Sequence, residues 1–397
     1  MNREVLPIQG PPGTGKTFTG AGLIVNLFRS VPNIRIGFAT TSHSACNNLA
    51  EAIMNWPLNN AELAKVLRSP TSDRTGIAGI TIANPDLKKI PRPFWSKDYQ
   101  IFAGVVSPFC APEFTQPEFQ LDYLFIDEAG QMSLADAVAI SRSAKNIVLL
   151  GDPLQLPQVV QATHPEGSGR SVLEHFLGDH EVVHPSEGVF LDTSYRMHPE
   201  VCGYISERIY QGKLKPFASC AQQNVAGEYG LRIHLMNHSD RSSVSVEEVG
   251  KIAELVNHYL GKPWTDRTDV VPGQRTIGHE DILIVAPYNL QRQAIESKLK
   301  ELGADKIQVG TVDKFQGREA AIVIFSMAAS SADDVPRGAR FLFDRNRLNV
   351  AVSRAKCLAI VVCNEPLLDT VAKDIVQMKS ISALCAFEAS AKRTGSY

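Results

Sequence analysis

Short apolar runs alternate along the chain with stretches in which apolar side chains recur every third or fourth position. Such alternation predicts strands connected by helices, the pattern of a parallel sheet covered on its faces. Residues 5–8 read as a strand and 18–28 as the helix that follows; 34–39 and 44–54 repeat the pair. From 56 to 95 the pattern loosens around Pro57, Pro70, Pro85, Pro91 and Pro93, and we read short strands and excursions there rather than a separate domain. Strands resume at 101–106, 123–126 and 146–150.

A stretch rich in Gly, Pro and His, 164–188, breaks the alternation and reads as a junction between two domains, 1–188 and 189–397. Beyond it the pattern restarts. A strand at 189–192 is expected to open the second unit, followed by a helix at 199–210, a strand at 231–236 and a helix at 246–260 with Ile252, Leu255, Val256 and Tyr259 on one face. Residues 262–280, with two prolines, two glycines and several charges, read as a surface loop. A strand at 281–286, a helix at 288–299, a strand at 321–325, a flexible loop at 332–338, a helix from 346 and a closing strand at 357–363 complete two α/β units of similar size.

Composition narrows the class. With 397 residues, 44% hydrophobic and 21% charged, the chain is globular and too long for one ordinary core. A net charge of −2 excludes a protein that coats nucleic acid or anionic lipid by bulk charge, while leaving room for a local basic groove. The seven cysteines form no CxxC pair and read as buried thiols of a reducing compartment. With no apolar run near the ~20 residues of a membrane span and no signal-peptide pattern at the N-terminus, the expectation is a soluble, intracellular, cytoplasmic protein, or a nuclear one in a eukaryote, with no membrane partner.

The candidate chemistry begins where the first strand turns into the first helix. GPPGTGKT at 10–17 has the strand, loop and helix context of a phosphate-binding loop. Gly10, Gly13 and Gly15, with Pro11, Pro12 and Thr14 between them, let backbone N–H groups curl around a phosphate, and the helix that starts beyond them, through Phe18, aims its positive end at the same place. Lys16 supplies a charge for the β- and γ-phosphates, and the Thr17 hydroxyl a ligand for magnesium, so ATP with Mg2+ is the expected cofactor. The apolar strand at 123–126 runs into two consecutive acids. Alone these could be a solvated turn; beside a phosphate loop, Asp127 reads as the magnesium acid and Glu128 as the base for the attacking water. The strand at 146–150 leads into GDPLQLPQ, where Gln155 is placed to sense the γ-phosphate. The hydroxyl-rich turn Thr40, Thr41, Ser42 and His43 lies where open α/β sheets bind ligands, and reads equally as a grip on a phosphate backbone or as a helix cap.

Taken in order, GPPGTGKT at 10–17, the turn at 40–47, DEAG at 127–130, GDPLQL at 151–156, SYRMHP at 194–199, VDKFQGRE at 312–319 and NRLNVAVSRAK at 346–356 resemble the seven motifs of superfamily 1 helicases. The likeness is to the branch that holds the RNA-decay helicases and their DNA-replication relatives. From Gly310 onward it is greatest to the helicase portion of bacterial fusions with RecB-like nucleases. The resemblance covers nearly the whole chain and implies two tandem RecA-like domains, with ATP hydrolysed in the cleft between them. Arg196 and Arg354 would act as arginine fingers, Tyr195 would stack near adenine, and Glu319 would bond the ribose. It also implies single-stranded DNA or RNA as partner, gripped by Thr41, Ser42, His43 and Thr311, with movement 5′ to 3′.

Only nine residues precede Gly10, too few for the adenine-reading glutamine motif of that family, and neither its accessory domain nor a nuclease is in the sequence. The expectation is therefore either a further segment upstream in a longer protein, a nuclease domain among the candidates, or weak base recognition. Two other readings compete: a P-loop ATPase that remodels protein independently of nucleic acid, and a scaffold that keeps the fold without activity. Both halves of the cleft and an intact set of polar residues argue for the motor.

Overall fold

A computed structural model describes residues 4–59, 62, 66–68, 81–82, 99–158, 164–315, 317–333, 335 and 338–393. The chain divides into two compact units: Met1–Pro11 with Gly15–Leu191, and Pro12–Thr14 with Asp192–Tyr397.

The first unit is built on an eight-stranded sheet whose pairings are all parallel. Its strands are Val5–Gln9 (β1), Ile36–Thr40 (β2), Val66–Arg68 (β3), Thr81–Ile82 (β4), Ile101–Val105 (β5), Leu121–Ile126 (β6), Ala144–Gly151 (β7) and Val189–Phe190 (β8). They lie in the order β4-β3-β5-β2-β6-β7-β1-β8. A sheet buried on both faces reads as near-continuous apolar runs. β2 and the last three residues of β6 accordingly have no exposed position. Helices Lys16–Ser30 and His43–Met54 bury Ala21, Ile24, Val25, Leu49 and Ile53 against Phe38, Phe125 and Leu150.

Two expectations for this half are corrected. The stretch 164–188 is part of the first unit's core rather than a junction: Val172–Leu177 is a helix whose Val172, Leu173 and Leu177 are buried. Its start is a capping box in which Ser171 and Glu174 satisfy each other's backbone N–H. The strand expected to open the second unit, β8, instead pairs with β1. Most of the loosely patterned region at 56–95 lies outside the described residues; β3 and β4 are the strands described within it.

In the second unit, Thr193–Ser194 (β9) and Lys215–Pro216 (β10) pair in parallel, and Asn224–Val225 (β11) begins a small antiparallel sheet. The main sheet has six strands, again all parallel in their pairings. It contains Gly230–Met236 (β12). Pro263–Thr265 (β13) and Arg275–Thr276 (β14) complete the small sheet, while Ile282–Val285 (β15), Gln308–Gly310 (β16), Ala320–Ser326 (β17), Ala355–Asn364 (β18) and Lys392–Arg393 (β19) complete the large one. Its order is β16-β15-β17-β18-β12-β19. Helix Val246–Tyr259 buries Ile252, Leu255, Val256 and Tyr259, as its spacing predicts. Both units are thus mostly parallel sheets flanked by helices, in tandem RecA-like form.

The expected surface loop at 262–280 is corrected too. Trp264 is buried within β13, and an indole of that size in the core outweighs the turn residues around it. Nor is β18 a closing strand: it lies between β17 and β12, and helix Ile375–Ser390 and β19 follow it. The loop expected at 332–338 is only partly described. Of the seven cysteines, five are buried, Cys385 is half-buried and Cys110 is exposed, so the uniform burial expected for them does not hold. Among the described residues no helix is long and apolar enough to cross a membrane.

Candidate active site

Because the first sheet is parallel, the ends of β1, β2, β6 and β7 emerge along one edge, and the register brings the motifs level. Gln9 at the end of β1 faces Gly151 at the end of β7, Leu149 faces Ile126, and Ile126 faces Ala39. The phosphate loop, the two acids, GDPLQL and the hydroxyl turn therefore stand side by side, although up to 142 residues separate them along the sequence.

The loop is pinned where it leaves β1, by the Gly10 N–H donating to the Gly151 carbonyl at 2.8 Å. Gly13 and Gly15 have φ of 76° and 75°, the left-handed region that β-carbons penalise, which is why glycine stands at both. Gly15 is the N-cap of Lys16–Ser30; no side chain caps that helix and no acid lies in its first turn, so its orphan N–H groups and dipole face a site that favours an anion. Lys16 is half-buried and folds back over the loop, its Nζ 3.4 Å from the Gly10 carbonyl. Thr17 is half-buried. Phe18, at 67% exposure, stacks on Trp56 with 5.4 Å between centroids.

Asp127 is buried and Glu128 half-buried. Glu128 has φ of 55°, an uncommon and strained conformation for a residue with a side chain, held by its N–H donating to Asp127 Oδ1 at 2.9 Å and by the Ala129 N–H donating to the Leu150 carbonyl at 2.8 Å. Burial, and then the charge of Glu128, push the Asp127 carboxyl up to about 7 against the opposing pull of Lys16. A divalent cation at this carboxylate would offset that cost. A desolvated acid under the influence of a lysine thus fits magnesium with a nucleotide phosphate. The two turns are locked backbone to backbone, since a Cβ on Gly130 would stand 2.7 Å from the Asp152 carbonyl oxygen.

Gln155 is buried, and its side-chain amide donates to Asp152 Oδ2 at 2.9 Å. Asp152 was not singled out in the sequence. It also accepts from the Leu154 N–H at 3.2 Å and from Gln9 Nε2 at 3.5 Å, so it organises the end of β7. The signal was present as an acid directly after an apolar strand, the feature that identified Asp127. In the hydroxyl turn Ser42 does cap its helix, accepting from the Ala45 N–H at 3.2 Å, and Thr41, Ser42 and His43 remain exposed on the same edge.

In the second unit, Ser194 Oγ donates to the Pro12 carbonyl at 3.0 Å, and the Tyr195 N–H donates to the Gly13 carbonyl at 2.8 Å. The exposed Tyr195 ring lies 4.8 Å from the Phe217 ring, a partner that sequence reasoning missed because a loop aromatic 22 residues away carries no periodic signal. Arg196 Nε donates to Glu319 Oε2 at 2.6 Å and its Nη1 to the Ser353 carbonyl at 3.1 Å. Desolvation works against it, yet the Arg196 and Lys356 cations hold the Glu319 carboxyl below its ordinary range. Arg354 is 2% exposed, with Nε donating to the Val350 carbonyl at 3.3 Å and Nη1 to the Arg318 carbonyl at 3.2 Å. Thr311 is half-buried at the end of β16, its carbonyl accepting from the Lys314 N–H at 3.0 Å.

Two family profiles, both described as AAA domain, match residues 1–167 and 168–366, the second spanning half of the chain. The putative helicase mov-10-B.1 of Danio rerio is 27% identical over 91% of this chain and 39% of its own length. The DNA replication ATP-dependent helicase/nuclease DNA2 of Gallus gallus is 27% identical over 91% of this chain and 35% of its own length. A regulator of nonsense transcripts 1 homolog of Arabidopsis thaliana is 25% identical over 93% of this chain and 32% of its own. The chain thus spans about a third of the length of these curated relatives. Among solved structures, an arterivirus nonstructural protein 10 helicase in complex with DNA is similar over 94% of this chain and 62% of its own, at 14% identity and a TM-score of 0.48. With the profile match over half its length, the chain belongs to the AAA-domain family, and curated relatives it matches are helicases.

Proposed function

We propose that this chain is an ATP-driven motor on single-stranded nucleic acid, moving 5′ to 3′. The observation that carries the reading is the shared edge of the first sheet, where phosphate loop, paired acids and the Asp152–Gln155 pair stand on neighbouring parallel strands. Lys16 and the N-terminus of Lys16–Ser30 hold the nucleotide phosphates, and Thr17 and Asp127 would hold magnesium, which would supply charge neutralisation there. Glu128 takes a proton from the water that attacks the γ-phosphorus, while Gln155, oriented by Asp152, faces the same water or phosphate. Arg196 and Arg354 offer guanidinium groups to the charge that develops as ADP departs. Tyr195 stacks on adenine and Glu319 bonds the ribose. Thr41, Ser42, His43 and Thr311 hold the nucleic-acid backbone.

A nuclease segment elsewhere in a longer protein accords with the name of the Gallus gallus relative, a helicase/nuclease. The test is ATP turnover by the purified chain with and without single-stranded DNA and RNA. Stimulation by either supports the motor. Turnover indifferent to both would favour a protein-remodelling ATPase, and no turnover at all a scaffold.

A further inference from the structure

Four charged side chains of the second unit form one chain of contacts. Asp266 Oδ2 lies 3.2 Å from Lys356 Nζ, Lys356 Nζ lies 3.3 Å from Glu319 Oε1, and Glu319 Oε2 accepts from Arg196 Nε at 2.6 Å. Each end is anchored. Asp266 follows β13, is 8% exposed, accepts from the Arg267 N–H at 2.7 Å and donates its own N–H to Asp269 Oδ2 at 2.8 Å. Arg196 is held at its far end by the Ser353 carbonyl. Lys356 also acts through its backbone, its carbonyl accepting from the His198 N–H at 2.7 Å, two residues beyond Arg196.

The middle of the chain needs such anchoring. The Glu319 side chain is 42% exposed, and a glutamate that free to move has several rotamers to lose before it can orient anything. One contact with Arg196 fixes one oxygen and leaves the carboxylate plane to turn. A second cation on the other oxygen fixes the plane, and a buried acid behind that cation keeps it from swinging to solvent. An exposed pair would contribute little by itself; a network with a buried end loses less to entropy and screening.

We propose that Lys356, backed by Asp266, is a positioning residue: it sets the carboxylate of Glu319 and, through it, the direction of the Arg196 guanidinium. This rests on the ATPase reading above and deepens it, since it assigns the small sheet β11-β13-β14 a task, the delivery of Asp266 to the site.

Lys356→Met keeps the aliphatic stem and removes the charge. Its kcat for ATP should fall about 10-fold, the scale at which contacting residues couple, with nucleotide affinity within about 2-fold. Lys356→Arg should recover most of the turnover. In a Glu319→Gln background, where Arg196 has already lost its charged partner, Lys356→Met should add little. Lys356→Met with Asp266→Asn controls for the acid left without its cation, and should match Lys356→Met in kcat while melting at or above it. Wild-type kcat in a folded Lys356→Met chain would overturn the proposal. So would equal losses in the Met and Arg variants, or fully additive effects with Glu319→Gln. A second arm needs no turnover: with 13C-labelled glutamate, the Glu319 carboxyl should titrate at higher pH in Lys356→Met than in wild type, and no change would refute the contact. An inactive wild type with a shifted Glu319 titration would sink the motor reading and leave the network standing.

Discussion

Glu128 and Arg354 are the residues on which the chemistry divides. Glu128 is held in left-handed backbone at φ of 55° by neighbours that are themselves fixed to β7, so its carboxylate is placed by the fold and not by its own preference. Glu128→Gln should keep nucleotide affinity, because Lys16, Thr17 and Asp127 remain, and lose hydrolysis, because the amide cannot take the proton. Lys16→Ala should abolish turnover with the loss of the phosphate-facing charge. ATP turnover and nucleotide titration on both variants check this, and a Glu128→Gln chain turning over at the wild-type rate would refute the assignment. Arg354 has a structural load and, in the proposed function, a catalytic one. It has local partners that the sequence did not reveal, two carbonyl oxygens within its own unit, so Arg354→Ala leaves buried acceptors unmade at a cost of about 1–3 kcal/mol. As an arginine finger it should also lower turnover on the order of 10³-fold with ATP binding retained. Lys should rescue poorly, since an ammonium cannot reproduce the fork. Melting temperature and kcat measured on one sample separate the loads: a stability loss with turnover spared makes Arg354 structural.

At the scale of elements, helix Pro199–Ile209 shows how capping couples to pH. His198 is its N-cap, accepting from the Glu200 N–H at 3.2 Å through Nδ1, which only a ring unprotonated at that nitrogen can do. Burial, and secondarily Lys392, push its pKa down to about 4, and burial drives His234 on β12 to about 4 as well. Both rings thus bind protons more readily in the unfolded chain, whose histidines titrate at about 6.5. Their stabilisation is complete above about pH 6.5 and is lost as pH falls towards 4, the window in which the unfolded state holds more protons. The melting temperature should fall between those limits, and His198→Asn, which caps without titrating, should flatten part of the slope. An unchanged slope would show that His198 does not titrate on unfolding.

At the scale of the whole molecule, a net charge of −2 and expected backbone contacts made by hydroxyls predict an unusual salt response. Each phosphate neutralised by Lys or Arg on a single strand contributes about −0.7 to the slope of log K against log salt. A grip carried by Thr41, Ser42, His43 and Thr311, with no Lys or Arg among them, should show a slope of magnitude below about 2. Fluorescence anisotropy with a labelled single strand across a salt series measures it; a much steeper slope would move the grip to basic side chains not yet assigned.

Local chemistry was legible in the sequence wherever spacing along the chain imposes it. The turn at Gly13 and Gly15, the acids at the end of β6 and the apolar face of Val246–Tyr259 depend on neighbours a few positions away, and motif order then identifies the family. Partners across the fold were not legible. Gln9 beside Asp152, Phe217 beside Tyr195 and Lys356 between Asp266 and Glu319 meet because strands distant in sequence lie in one register or on one edge. The same limit explains the misread stretches. Residues 164–188 and 262–280 look like loops by their Gly, Pro and charge, and only the core they help to fill makes Leu173 and Trp264 buried residues. Propensity and spacing act within a few residues of chain, whereas burial and ion pairing act between residues that only the tertiary structure brings together.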